Sequence, residues 1–140
     1  MAGTLQLDIL TPGGHVASAA VAEVIVPTTG GDLGILPQHT PLTTVTRLGV
    51  VSVRRQPGDT TADMDHYVIA SGLAEITPDA VRLLVDEAQH VDTIDQAQAN
   101  QQLAAAKDQE RSAQTDREMA RAKASVARST AWLEATKLRK

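Results

Sequence analysis

Short runs in which hydrophobic and polar residues alternate fill the first part of the chain. Leu5, Leu7 and Ile9 alternate with Gln6 and Asp8, which is the two-residue period of a strand with one buried face. Runs rich in β-branched residues follow, and turn sequences separate them: TPGG, TTGG, QPGD and TPD. This spacing predicts an all-β sandwich or barrel over residues 1–88.

The pattern changes near residue 90. No glycine or proline follows Asp92, which favours helices. We expect Asp92 or Thr93 to cap a first helix and Thr115 or Asp116 to cap a second, because their side-chain oxygens can accept from unpaired backbone N–H groups. Residues 89–140 are therefore predicted to form an antiparallel two-helix hairpin that follows the β domain.

Alanine dominates the faces on which the two predicted helices would meet. Burying a methyl group contributes only about 0.8 kcal/mol, so an alanine seam holds two helices together weakly. A mobile hairpin is therefore expected, with a permanently docked tail as the alternative. The first helix offers Ala99, Leu103, Ala106 and Ala113, interrupted by Glu110, and the second offers Ala120, Ala124, Ala127, Ala131, Ala135 and Leu138.

Composition restricts the chemistry. The 140 residues include one tyrosine, one tryptophan and no phenylalanine, so the core must consist of Val, Ile and Leu. Cysteine is absent, which removes disulfides, thiolate chemistry and Cys-based zinc sites. We expect neither a secretory signal at the start nor a membrane-spanning segment.

Charge divides along the same boundary. Residues 1–88 carry four basic and ten acidic residues, whereas residues 117–140 carry seven basic and two acidic ones. The last helix therefore presents a cationic surface that suits an acidic protein partner, with a merely solvated face as the alternative. Nucleic acid is not expected as a partner, because the chain is acidic overall and lacks aromatic stacking residues.

Catalytic groups are not apparent. The four histidines are scattered, and none forms a metal-ligand spacing, so we expect no metal site. The glycine-rich GGDLG lacks the Gly-Lys-Ser/Thr of a phosphate loop, and no serine lies in a nucleophile elbow. The sequence predicts no catalytic residues and a protein that is not an enzyme.

One stretch is far more specific. GGDLGILPQHTPL, residues 30–42, resembles the central motif of the epsilon subunit of F-type ATP synthases, which is called delta in mitochondria, and weaker resemblance covers residues 4–138. The chain departs from the family at Gln38, where a glycine is common. It also has Ser71, Gly72 and Leu73 where the family has Gly-Gly-Phe; we expect Leu73 to replace an aromatic core residue.

The resemblance implies a noncatalytic rotor subunit that links the gamma subunit to the c-ring and so couples proton or sodium flow to ATP synthesis. It implies a peripheral position on the cytoplasmic face of a bacterial plasma membrane, or alternatively on the thylakoid stromal face. The implied c-ring contacts are Gly31, Asp32, Leu33 and Gly34, and the implied gamma contacts are His39, Pro41, Leu42 and Thr43.

The same resemblance implies that the hairpin can extend along gamma toward the alpha and beta subunits and inhibit ATP hydrolysis. Its cations would then face an acidic segment of beta; they are Arg117, Arg121, Lys123, Arg128 and Lys137. A free-standing β-sandwich binding module with a helical docking tail is the alternative from a different class.

Some relatives hold ATP at the start of the first helix with the motif Ile/Leu-Asp-x-x-Arg-Ala. Here Gln98 replaces that arginine, and Trp132 replaces the second of two arginines on the last helix. A neutral side chain forms hydrogen bonds about half as strong as charge-assisted ones. No cofactor is therefore expected, and the remnant site for weak ATP binding would consist of Ile94, Asp95, Ala99 and Arg128.

Overall fold

Ten strands form one sheet in the computed structural model, which describes residues 3–140. The strands are β1 (Leu5–Thr11), β2 (Gly14–Val21), β3 (Glu23–Thr28), β4 (Gly31–Ile35), β5 (Leu42–Thr46), β6 (Gly49–Arg54), β7 (Asp65–Ile69), β8 (Gly72–Ile76), β9 (Ala80–Val85) and β10 (Ala88–His90). Short 3-10 turns occupy Thr61–Asp63, Val91–Thr93 and Thr136–Leu138.

The sheet nearly closes on itself. Its strand order is β10-β7-β6-β3-β5-β8-β9-β1-β2, with β4 paired to β3. The pair of β1 with β9 is parallel and the other pairs are antiparallel. Because β10 at one end also contacts β1 and β2 at the other, the predicted all-β sandwich or barrel is confirmed.

Aliphatic side chains fill the interior. Leu5, Leu7 and Ile9 are buried while Gln6 is exposed, so the alternation in β1 predicted its buried face. Tyr67 is the one aromatic member of the core cluster. The largest fully buried side chains are Leu5, Leu7, Ile9, Ile35, Ile69, Leu83, Val21, Val24, Val26, Val51, Val68 and Val81.

Two helices, α1 (Gln96–Ser112) and α2 (Asp116–Ala135), make up the second unit. Contacts divide the chain between His90 and Val91. Thr115 caps α2 by accepting from the amide of Glu118 at 3.0 Å, as predicted. The predicted cap of α1 was wrong: Asp95 accepts from the amide of Gln98 at 3.1 Å, because a 3-10 turn occupies the preceding residues.

The free end of α2 is tied to the start of α1, as an antiparallel hairpin requires. Arg139 donates through Nη1 to the carbonyl of Ile94 and through Nη2 to Oε1 of Gln96, both at 3.2 Å. The amide of Lys140 donates to Oδ1 of Asp92 at 2.9 Å. These three bonds close the hairpin at the end opposite its loop.

The alanine seam is confirmed on α1 and only partly correct on α2. On α1, Ala99 and Ala106 are buried and the other predicted members are half-buried. Of the residues predicted for the second helix, Ala135 is buried and Ala131 is half-buried, but Ala120, Ala124, Ala127 and Leu138 are exposed. Burial of the indole removes far more apolar surface from water than burial of a methyl group, and so the tryptophan face is turned inward. The buried residues of α2 are Ala122, Ser129, Trp132 and Ala135.

Candidate interaction site

A tight hairpin between β3 and β4 carries the first part of the GGDLGILPQHTPL motif. Thr28 pairs with Gly31, and Gly31 has a positive φ of 115° that suits glycine. The Thr28 hydroxyl donates to the Gly31 carbonyl at 2.6 Å and accepts from the amide of Gly30 at 3.2 Å. These bonds fix the turn that presents the residues expected to contact a c-ring.

Arg47 braces this hairpin from the end of β5. Its amide donates to the carbonyl of Pro27 at 3.0 Å, and its Nε donates to the carbonyl of Thr28 at 3.1 Å. Its Nη2 forms an ion pair with Oδ1 of Asp32 at 2.7 Å. The Asp32 side chain nevertheless keeps 66% of its surface exposed, so an outside cation could reach it by competing with Arg47.

The four residues expected at a c-ring do not share one environment. Gly31, Asp32 and Gly34 are exposed. Leu33 is half-buried and packs against the core cluster, because side chains alternate between the faces of β4. The structure therefore leaves Asp32 as the side chain that this hairpin offers to a partner.

The loop between β4 and β5 is held by its backbone. Gln38 has a φ of 70°, which is uncommon for a residue other than glycine. Its amide donates to the carbonyl of Pro78 at 2.8 Å, and the amide of His39 donates to the carbonyl of Leu36 at 3.2 Å. Leu36 itself is 57% exposed. The fixed loop thus displays a large apolar side chain to solvent.

His39 is half-buried and oriented by a local bond. Its Nδ1 lies 2.7 Å from the carbonyl of Thr40, and because a carbonyl only accepts, Nδ1 carries the hydrogen. A neutral ring then has its acceptor at Nε2. The other residues expected to contact gamma, which are Pro41, Leu42 and Thr43, are exposed at the start of β5.

An apolar row crosses the outer face of four neighbouring strands. Val45 of β5 pairs with Leu73 of β8, Leu73 pairs with Leu84 of β9, and Leu84 pairs with Leu10 of β1. Val45 and Leu73 are 48% and 43% exposed, and the other two are half-buried. Contiguous exposed apolar surface is typical of protein-protein contact sites.

Two of these residues correct or extend the sequence analysis. Leu73 was expected to replace an aromatic core residue, but it faces outward, because its neighbour Ala74 takes the buried face of β8. Val45 was not identified as a member of an exposed apolar surface, since a single valine in a run of threonines does not indicate which strands lie beside it. Arg47 was likewise missed, because its contacts depend on the pairing of β3 with β5.

The basic side chains of the last helix differ in their exposure and contacts. Arg117, Arg121, Lys123 and Lys137 are exposed. Arg128 instead lies over the Trp132 ring at 4.1 Å from its centroid, and its Nη1 donates to Oε1 of Gln102 at 3.2 Å. The cationic surface of the last helix therefore consists mainly of the first four.

The residues of the remnant nucleotide site have internal roles in the helical unit. Ile94 and Ala99 are buried, and Asp95 caps α1. Arg128 reaches α1 at Gln102, almost one turn beyond Ala99. Releasing Arg128 to a phosphate would break its contact with Trp132.

No group of three or more His, Cys, Asp or Glu side chains within residues 3–140 is placed to hold a metal ion. Over the same residues, neither helix is sufficiently long and apolar to cross a membrane.

A family model for the β-sandwich domain of the ATP synthase delta/epsilon chain matches residues 4–91. The chain belongs to this family. The ATP synthase epsilon chains of Brucella canis and Brucella suis are 41% identical to it over 97 residues, which is 69% of this chain and 69% of each relative. Membership in the ATP synthase epsilon family confirms the resemblance found in the sequence.

Solved structures support the fold of the whole chain. A chain in the Euglena gracilis mitochondrial ATP synthase structure of OSCP, F1 and c-ring superposes with a TM-score of 0.78 at 21% identity, covering 98% of this chain and 82% of that one. A chain in the central stalk and c-ring of the Tetrahymena thermophila mitochondrial ATP synthase gives 0.58 at 13% identity, covering 94% and 96%. At these identities the likeness shows a common fold.

Proposed function

We propose that this chain is a noncatalytic rotor subunit that links gamma to the c-ring of an F-type ATP synthase and couples ion flow to ATP synthesis. The observation that carries the proposal is the match of the β unit to the delta/epsilon family. Exposed apolar and charged side chains on a hydrogen-bonded scaffold support it. Within the complex, the chain would lie at the cytoplasmic face of a bacterial plasma membrane.

Gamma would bind the apolar row together with the start of β5. Replacing both Val45 and Leu73 by glutamate should reduce co-elution with gamma strongly, because each charge would be desolvated in the contact. Ala20→Glu, on an exposed position of β2, is the matched control. If the double substitution leaves co-elution unchanged, gamma does not bind the apolar row. Failure of the unaltered chain to co-elute would favour the free-standing binding module.

Asp32 would contact a basic residue of the c-ring loop. Exposed ion pairs contribute about 0 to 1 kcal/mol, so Asp32→Ala should weaken c-ring attachment slightly and Asp32→Lys should weaken it more. Arg47→Gln removes the ion-pair partner of Asp32 within the chain. This variant tests whether Arg47 limits the binding of Asp32 to the c-ring loop. Proton pumping and gamma pull-down would be measured together. Loss of gamma binding in both Asp32 variants would contradict the assignment.

The helical hairpin would extend toward the alpha and beta subunits and restrain ATP hydrolysis through its cations. Ending the chain after His90 should leave a folded β unit, because the core cluster lies before that residue. The shortened subunit should assemble and couple, while ATP hydrolysis by the complex should rise. The matched variant replaces Arg117, Arg121 and Lys123 by glutamine. Unchanged hydrolysis in both would exclude inhibition by this hairpin.

The hairpin would bind ATP weakly or not at all. The support is that Arg128 is already engaged by Trp132 and Gln102 and that position 98 is glutamine. Calorimetric titration of the full chain with ATP should show no micromolar binding, and Gln98→Arg should increase affinity. Micromolar affinity of the unaltered chain would overturn this assignment.

A further inference from the structure

Within residues 3–140, one side of β4 has no neighbouring strand. β4 pairs with β3 along its other side, and none of the other described strands pairs with it. This unpaired side is the open edge of β4. Gly31, Asp32 and Gly34 are exposed there. An open edge presents unpaired backbone N–H and C=O groups, to which a strand of another chain can add.

The hydrogen bonds of β3 show which backbone groups of β4 lie on the open edge. Pro27 has no N–H, and its carbonyl accepts from the amide of Arg47 at 3.0 Å on the side of β3 that faces β5. Pro27 is the register partner of Asp32, so these two form a pair without mutual hydrogen bonds. The N–H and C=O of Asp32 therefore point to the open edge. Because this pattern repeats every second residue, those of Gly34 point there too.

The side chains along the open edge determine what an added strand should carry. Asp32 and Gly34 lie on the same face, because side chains alternate along a strand. A residue paired with Asp32 would hold its side chain beside the carboxylate, which is 66% exposed, so lysine or arginine is favoured there. A large side chain fits opposite Gly34, where an added Cβ meets no atom closer than Oε2 of Glu23 at 3.8 Å. A second copy of this chain fits poorly, because its own Asp32 carboxylate would repel the first.

We propose that a partner segment adds to the open edge of β4 as an extended strand, paired through its backbone with Asp32 and Gly34 and carrying a lysine or arginine beside the Asp32 carboxylate. The inference deepens the proposed function and rests on it for the partner, which is the c-ring loop. Antiparallel pairing at two such residues provides four backbone hydrogen bonds, whereas one exposed ion pair binds weakly. Arg47 holds the edge in place, because it bonds the carbonyls of Pro27 and Thr28.

Amide hydrogen exchange at single-residue resolution tests the proposal, first in the free full chain and then in its complex with gamma and the c-ring. In the free chain, bonds to β3 should protect the amides of Leu33 and Ile35, while those of Asp32 and Gly34 should exchange nearly as fast as unstructured amides. In the complex, the Asp32 and Gly34 amides should exchange at least about tenfold more slowly, because strand addition gives each a carbonyl partner.

Two substitutions at Gly34 separate backbone pairing from a side-chain contact. Gly34→Pro removes the outward N–H, and an edge strand tolerates proline where that N–H faces solvent. Gly34→Ala is the matched control, because it keeps the N–H and its Cβ fits. Gly34→Pro should lower c-ring retention about tenfold, the size of one lost hydrogen bond whose partner stays unpaired. Gly34→Ala should change retention by less than about twofold, and both variants should still co-elute with gamma.

The outcomes separate this inference from the proposed function. If the complex retains the c-ring but the Asp32 and Gly34 amides exchange as fast as in the free chain, strand addition is wrong and the rotor assignment stands. Equal c-ring retention by Gly34→Pro and Gly34→Ala would also overturn strand addition alone. If the unaltered chain retains no c-ring, the rotor assignment and strand addition are both wrong. The exchange measurement needs no variant, so it remains decisive even if Gly34→Pro does not fold.

Discussion

Gly72 is the position at which a single methyl group should damage the sheet most. It begins β8 and pairs with Val85 of β9. A Cβ at this position would lie 2.1 Å from the Leu84 carbonyl oxygen and 2.7 Å from the Val85 Cα. Both atoms belong to the neighbouring backbone, so no side-chain rotation relieves the clash in Gly72→Ala.

The expected cost follows from those distances. Ordinary contacts begin near 3.4 Å, so β8 and β9 would have to separate by about 1 Å at this point and lose their local hydrogen bonds. Overpacking costs about 1–3 kcal/mol when side chains can adjust, and we expect the upper end, about 3 kcal/mol, where only backbone can move. That is a large share of the stability of a domain.

Urea and thermal unfolding of the full chain, followed by circular dichroism, measure the effect. With a slope of about 1–3 kcal/mol per molar urea, Gly72→Ala should lower the midpoint by about 1–3 M. Gly58→Ala is the control, because a Cβ there meets no atom within 4 Å and should change stability by at most about 0.5 kcal/mol. If the two variants unfold at the same urea concentration, the close approach of β8 to β9 is wrong.

Three further substitutions test single features of the β unit. Gln38→Gly should stabilise it by about 1 kcal/mol in the same urea assay, because it relieves a positive φ. Thr46→Val should increase the free energy of unfolding by a similar amount and so raise the urea midpoint, because the buried Thr46 hydroxyl has no partner within the described residues 3–140. Burial raises the pKa of Asp65, but His90 and Arg55 outweigh it and hold the pKa below its ordinary value near 3.8. The Asp65 carboxylate therefore stabilises the fold above about pH 5 and loses that effect as pH falls below about 4, so the stability deficit of Asp65→Asn, measured by unfolding at each pH, should shrink in acid.

The strands could be predicted from the sequence because their signal is local. Alternation in β1 directly reflects burial of Leu5, Leu7 and Ile9. The brace on the β3–β4 hairpin could not be predicted, since Arg47 and Asp32 are brought together by strand pairing. The positive φ of 70° at Gln38 was not predicted either, because a glutamine gives no signal of a left-handed backbone.

The helices show where a periodic pattern misleads. Alanine is favoured on any helix face, so its spacing on α2 reflects helix propensity as much as burial. The position of Trp132 predicts the buried face of α2 better than the alanine spacing does, because its large apolar ring determines which face turns inward. The cluster around Asp65 gave no sequence signal, because Arg55, Asp65 and His90 come from three separate segments.

The buried tryptophan also gives the molecule a spectroscopic property. Trp132 is the only tryptophan in the chain and Tyr67 the only tyrosine, so each unit contains one intrinsic fluorophore. Trp132 is 3% exposed and stacked under a guanidinium group. Any rearrangement of the helical hairpin that wets the indole should shift its emission to the red, so the hairpin can be followed in the assembled complex without attaching a dye, provided that the other subunits lack tryptophan or have had it replaced.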